Sequence, residues 1–320
     1  MIFYPPTITV ALTILALSLL MDFIYPYHSG ILLRIHPVHT CFVMAKKLIK
    51  PYANKLYGVF LGSTCILIHI APLILVLYLI NLTNYPWSSI LWIIAGTWTL
   101  KTSYSIRLLM EIGLKIYNHS KRNEWSSTRY WVQQIVRRNV YELDEEHVLS
   151  AAIESLAESL VDGIVSPLFY YPFLGILGPF LQRIVNTLDG AVGFKTPELL
   201  EQGWFSAKLD TILNYIPARL SALYIILSSM ILGYNWKDAW RIYLRDHGKT
   251  ASLNAGHPMS AMAGALGVIL EKIGCYKLGD KTKTIEPNDV LRAVRIVITS
   301  ATLHIALVTL LTSIIWYILT

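Results

Sequence analysis

Read for its apolar positions, the chain holds four runs near the length a bilayer demands, at about 7–25, 57–81, 87–110 and 294–319. A helix needs about 20 mainly apolar residues to cross the hydrocarbon core, so the pattern predicts four transmembrane helices. The first run has no basic stretch before it and no small-residue cleavage site, which reads as a retained helix rather than a secretory leader. Two further stretches, 163–182 and 212–233, are apolar but interrupted. The former carries Pro167, Pro172, Gly175, Gly178 and Pro179, and the latter Pro217 and Arg219. Such segments suit broken or re-entrant helices lining a protein cavity, where freed backbone groups find partners. The expected fold class is all-α: a polytopic integral membrane protein forming one membrane-embedded domain over 1–320.

Composition supports this reading. Hydrophobic residues make up 54% of the 320 and charged ones 15%, against roughly 25% charged in an average soluble domain. A chain so poor in charge cannot coat a soluble globule, and disorder is excluded. Cys41, Cys65 and Cys275 form no CxxC pair, which excludes a disulfide scaffold and a structural zinc site. The net charge of +7 matters less than its placement. Residues 27–56 hold five Lys/Arg and no acid, 81–86 hold no charge, 111–160 hold six Lys/Arg and 234–292 hold nine. By the positive-inside rule the basic segments are cytoplasmic helical loops and 81–86 lies outside. The side taken by 184–211 depends on whether the interrupted segments span or re-enter. The expected setting is the cell membrane, with the working face toward the cytoplasm. No aromatic-interleaved basic patch argues for nucleic acid.

The densest polar information lies between Ser150 and Arg219. In Ala151–Val165 the acids Glu154, Glu158 and Asp162 follow at i, i+4 and i+8, which places them on one helical face. Either this is a solvated acidic face, or the three hold a cation or a metal-bound phosphate. Further on, Asn186 with Asp189 and Asp210 with Asn214 are polar pairs at i, i+3 and i, i+4, which suit oxygen ligands for Mg²⁺ or helix caps. Arg219 sits inside an apolar run and must face a cavity and an anion. That anion is an internal carboxylate such as Asp210, or a substrate phosphate. Pro217 is expected to kink the chain beside it.

A second constellation runs from Arg245 to Gly267. Gly248-Lys249-Thr250 looks like the tail of a P-loop, but Tyr243 stands where the pattern needs glycine and no buried strand precedes it, so that reading fails. What remains is a loop, Ser252 to His257, feeding a helix with Pro258 at its first position. Asn254-Ala255-Gly256 at its entrance can offer backbone N–H groups to an anion. The small residues Ala261, Gly264 and Ala265 share one face and predict close helix packing.

At these residues the chain resembles the CbiB/CobD family of cobalamin biosynthesis, the adenosylcobinamide-phosphate synthases. The resemblance rests on ESLAES-VDGIVSPLFY (154–170), VNTLDGAVGFK (185–195), GWFSAKLD-ILNYIPARLSAL (203–223) and SLNAGHPMSAMAGALGV (252–268), and extends to Asp22 and His36-Pro37-Val38. Ser159, Asn139 and His257 stand where the family commonly has asparagine, aspartate and tryptophan. The resemblance implies an integral membrane ligase that joins an aminoalcohol phosphate to a propionate carboxylate of adenosylcobyric acid. An amide forms, ATP is consumed with Mg²⁺, and the corrinoid is a substrate.

That chemistry assigns expectations to the residues above. Glu154, Glu158, Asp162, Asp189 and Asp210 are expected to be metal ligands or the base that deprotonates the amine, with Mg²⁺ at Glu154, Glu158 and Asp162. Asn186, Lys208, Arg219 and Lys249 are expected to contact phosphates, with Ser252, Asn254 and Gly256 as an anion loop. The partners implied are the two organic substrates, the lipid bilayer and other cobalamin-biosynthesis enzymes. The competing readings are a cation-coupled carrier, with Glu154, Glu158, Asp162 and Arg219 as its relay, and a non-catalytic scaffold for corrinoid enzymes. The carrier reading leaves 234–292 idle, and the absence of an internal repeat disfavours the common carrier architectures.

Overall fold

The computed structural model describes residues 3–319. Helices dominate. Among the described residues the strands are Leu270–Lys272 and Tyr276–Leu278, an antiparallel hairpin pairing Leu270 with Leu278 and Lys272 with Tyr276. Its three-residue loop places Gly274 at φ +73°, the left-handed region such hairpins need and glycine adopts freely.

Two of the four expected spans are helices long and apolar enough to cross a membrane: Lys55–Asn81 and Pro287–Ile318. Asn54 starts the former by accepting the Tyr57 N–H at 3.0 Å. The latter begins ahead of its apolar run because Asp289 accepts the Glu286 N–H at 3.0 Å and so caps the helix start. The other two expected spans fall short. The first apolar run is Ile8–Ile24, 17 residues, or about 25 Å at 1.5 Å per residue. The 87–110 run is not one helix. Trp87–Lys101 ends, Thr102–Ile106 breaks the chain, and Arg107–Lys121 begins afresh. Side chains cause the break: the hydroxyls of Thr102 and Ser103 both donate to the Thr99 carbonyl, at 2.9 and 2.8 Å, offering the backbone an alternative to another helical turn. Lys101 at the end of the helix is buried and pairs with buried Asp22 at 2.9 Å.

The interrupted segments are broken as expected. Across 163–182 the chain passes from a π turn, Val161–Val165, through the short helices Ser166–Phe169 and Tyr171–Leu174 into Leu177–Val192. Trp204–Leu213 and Tyr215–Ile231 qualify as a third apolar span only as a pair bent at Asn214. Pro217 falls in the first turn of the second helix, where its missing N–H costs nothing.

The chain divides into two compact units. The first comprises Met1–Ser105, Ser166–Leu213 and Ala306–Thr320. Its core joins helices Pro37–Leu48, Lys55–Asn81 and Leu177–Val192 through buried Cys41, Leu61, Cys65, Ile184 and Leu188. Gly58 lets the second of these helices approach closely, since a Cβ there would stand 2.2 Å from the Gln202 carbonyl oxygen. The second unit comprises Ile106–Val165 and Asn214–Ile305. In it the small-residue face of Gly256–Leu266 meets Trp236–Asp246, and a Cβ on Gly264 would lie 2.4 Å from the Asp238 carbonyl. The small stripe is a packing device, as its spacing predicted.

Candidate active site

Helix Glu145–Leu160 starts where Asp144 accepts the His147 N–H at 2.9 Å, with Glu145 and Glu146 in its first turn. Two turns on, Glu154 is 4% exposed and fully engaged. Its carboxylate accepts from Arg138 at 3.1 and 3.2 Å, from the Ser150 hydroxyl at 2.8 Å and from the Tyr276 hydroxyl at 2.7 Å. Ser150 in turn accepts the Glu271 N–H at 2.9 Å, so the hairpin is fastened to this helix at two points. Burial pushes the Tyr276 hydroxyl above its usual range, and the adjacent Glu154 charge acts the same way.

Glu158 lies one turn further along. Burial raises its carboxyl to about 7 and the Glu154 charge adds to the rise, while Arg137, Lys272 and Arg138 oppose it. A carboxyl poised there can accept a proton near neutral pH. Asp162 sits on the π turn and accepts from Asn214 at 3.1 Å. Among the described residues no group of three or more His, Cys, Asp or Glu is gathered to hold a metal ion. Of the three acids expected on one face, Glu154 is taken up by Arg138, Ser150 and Tyr276 and Asp162 by Asn214, so they do not fit a resident metal.

The cation at Lys249 is also committed. Its ammonium pairs at 2.5 Å with Asp246, which has no solvent exposure. Asp246 also accepts two bonds from Arg245, at 2.7 and 2.8 Å, and the Gly279 N–H at 2.8 Å. Burial works to raise this carboxyl, but the bonds from Arg245, Lys249 and Gly279 outweigh it and hold it well below the usual carboxylate range. Arg241 and Arg245 both reach Asp280, at 2.7 Å each, so the network ties the hairpin's end to helix Trp236–Asp246.

Arg219 is half-buried. It stacks on the Tyr215 ring at 3.5 Å from the centroid, donates to the Tyr215 carbonyl at 2.6 Å and to the Asn254 side chain at 3.3 Å. Among the described residues no carboxylate forms an ion pair with it. In the neighbouring loop the Ser252 hydroxyl accepts the N–H groups of Asn254 and Ala255, at 3.3 and 3.2 Å, and the His257 N–H goes to the Asn254 carbonyl. Those amides already have acceptors inside the loop. Gly256 is needed for closeness, since a Cβ would fall 2.0 Å from the His247 carbonyl oxygen. His257, 5% exposed, stacks on His247 with ring centroids 4.7 Å apart, and among the described residues its Nδ1 has no hydrogen-bond partner. Burial lowers this imidazole to about 4, with the charges of Arg219 and His247 acting in the same direction.

The remaining expected residues belong to the first unit. Asn186 on Leu177–Val192 donates to Asp210 on Trp204–Leu213 at 3.1 Å and accepts from Arg183 at 3.4 Å. Asp189 lies against Gly193, whose N–H reaches the Asp189 carbonyl at 2.8 Å. Lys208 is exposed on the helix that carries Asp210.

Residues 15–297 match the model of the CobD/Cbib protein family. The chain belongs to that family. It is 42% identical over 299 residues to a probable cobalamin biosynthesis protein CobD of Aeropyrum pernix, covering 92% of this chain and 91% of that one. Its identity to the protein of the same name from Methanothermobacter thermautotrophicus is 40% over 226 residues, 71% and 74% of the two chains. The corresponding figure for Thermoplasma acidophilum is 36% over 267 residues, 82% and 85%. No solved structure matches it.

For this CobD/Cbib member, sequence reasoning missed Arg138, Ser150 and Tyr276 around Glu154, and the Asp246 hub. The Arg137-Arg138 pair ahead of the acidic helix was a readable signal for the first. Nothing in the sequence places Tyr276 beside an acid 122 positions earlier.

Proposed function

We propose that the protein is a membrane ligase of cobalamin biosynthesis. It joins an aminoalcohol phosphate to a propionate carboxylate of adenosylcobyric acid, consumes ATP and gives adenosylcobinamide phosphate on the cytoplasmic side. The observation that carries this reading is the Glu154–Glu158 pair. Glu154 is engaged by Arg138, Ser150 and Tyr276, and burial, with the Glu154 charge adding to it, raises Glu158 to about 7. Two carboxylates a turn apart with different environments divide the labour between positioning and proton transfer.

In the first step the terminal phosphoryl group of ATP passes to the propionate oxygen, leaving ADP and an acyl phosphate. Glu158 then takes a proton from the substrate ammonium, which frees the nitrogen lone pair. Nitrogen bonds to the acyl carbon, the carbon–oxygen bond breaks, and phosphate departs with that electron pair and the second nitrogen proton. Arg219, which pairs with no carboxylate among the described residues, supplies the cation for a nucleotide phosphate. Magnesium enters with the nucleotide as part of the substrate.

The test is a pH profile. Glu158 must be unprotonated to act, so turnover should rise with pH through about 7 and then level off. Glu158→Gln should lower turnover about 10²- to 10⁴-fold, the usual worth of a positioned base, and flatten that limb. Wild-type turnover by the variant with the same limb would remove Glu158 from the mechanism.

A further inference from the structure

The second unit has a cavity of about 220 Å³ beside the start of the acidic helix. Its wall includes Arg138, Asn139 and His147 on one side and Glu271 and Lys272 of the hairpin on the other. Size narrows the occupant. At about 30 Å³ per water in the liquid, 220 Å³ holds about seven waters, the bulk of a ligand with eight or so non-hydrogen atoms. Sites for drug-sized molecules begin near 300 Å³, so neither a nucleotide nor a corrin ring fits inside.

Charge narrows it further. Among the described residues the buried Arg138 Nε–H has no acceptor, an unfavourable state that an anion would relieve. Among the described residues Lys272 makes no ion pair. Glu271 brings the opposite sign, meeting Lys277 at 3.0 Å and His147 Nε2 at 3.9 Å. Cationic and anionic groups thus share one small cavity, the pattern that complements a short zwitterion. The cations Arg137, Lys272 and Arg138 are also those whose charges reach Glu158.

We infer that this cavity is the amine-substrate site: it takes a short aminoalkyl phosphate, with Arg138 and Lys272 on the phosphate and Glu271 on the ammonium end. The assignment rests on the ligase reading and adds where that substrate sits. It also separates the two phosphate sites, giving the nucleotide to Arg219 and the small phosphate ester to Arg138 and Lys272.

The experiment is calorimetric titration of the detergent-purified full chain with ethanolamine phosphate, ethyl phosphate, ethanolamine and inorganic phosphate. Ethanolamine phosphate should bind at least tenfold tighter than each of the other three. Lys272→Gln should weaken it tenfold or more and Lys272→Glu should abolish it, while Lys237→Gln, on an exposed position away from the cavity, leaves it unchanged. Lys272 is exposed, so these variants should keep the wild-type melting temperature. Equal binding by wild type and both Lys272 variants overturns the inference, as does inorganic phosphate binding as tightly as ethanolamine phosphate. Corrinoid turnover tells the two claims apart. Amide formation with an unchanged KM for the amine in Lys272→Gln sinks the cavity assignment and leaves the ligase standing. Selective, Lys272-dependent binding without any amide product keeps the site and sinks the ligase.

Discussion

Arg219 shows how a single side chain separates two readings that the sequence left open. An arginine in an apolar run must meet an anion, and an internal carboxylate was the simpler candidate. In the structure its fork meets the Tyr215 ring, a carbonyl and the Asn254 amide instead. A guanidinium so placed keeps donors for a ligand. Arg219→Lys retains the charge but loses the bidentate fork and the stacking. We expect it to raise the apparent Michaelis constant for ATP about tenfold or more, with a melting temperature close to wild type. A lower melting temperature with unchanged constants would assign Arg219 to structure. Lys249 taught the opposite lesson. From the sequence it resembled a phosphate ligand, but Asp246, three residues earlier, claims it. The i, i+3 spacing was in plain view, yet spacing cannot tell that Asp246 is fully buried and therefore needs every cation within reach.

Among elements, the long apolar runs were legible wherever nothing polar ended them. Lys55–Asn81 appeared almost where its hydropathy put it, as did the end of Pro287–Leu319. The run at 87–110 misled because hydropathy averages over a window. One buried lysine and two hydroxyls that cap the Thr99 carbonyl are enough to end the helix at Lys101. That lysine also supplies a test. Lys101 and Asp22 are 2% and 3% exposed at their side chains, so removing one leaves a buried charge without its main partner, at a cost of about 3–5 kcal/mol. Lys101→Met should therefore lower the melting temperature in detergent markedly, and adding Asp22→Asn should recover much of the loss. Equal stability of Lys101→Met and wild type would mean that the pair does not hold the helix end. The hairpin at 270–278 was invisible to the sequence because its strands are three residues each, too short for any alternation to show.

At the level of the whole molecule, the family and the mostly helical class were readable early, because several multi-residue segments match in order and because charge is scarce. The division of the expected site was not. Asn186, Asp189, Lys208 and Asp210 fall in one compact unit, while Glu154, Glu158, Asp162, Arg219 and the 249–256 loop fall in the other. Periodicity describes one helix at a time and says nothing about which helices keep company. Orientation, by contrast, is an expectation from loop charge that can be checked directly. In a Cys275→Ser background, Lys47→Cys and Lys281→Cys should both resist a membrane-impermeant maleimide applied to intact cells, since both lie in basic segments. Efficient labelling of either from outside would invert the orientation and take the Glu158 site away from cytoplasmic ATP.

Whether this chain makes an amide on a corrinoid can be read from its product by mass spectrometry. Detergent-purified protein would be incubated with adenosylcobyric acid, ATP, Mg²⁺ and an aminoalcohol phosphate. The expected product is heavier than adenosylcobyric acid by the aminoalcohol phosphate less one water, formed only when ATP and the amine are both present and lost in Glu158→Gln. Unchanged adenosylcobyric acid in the complete mixture, from protein that is folded and binds its substrates, would contradict it.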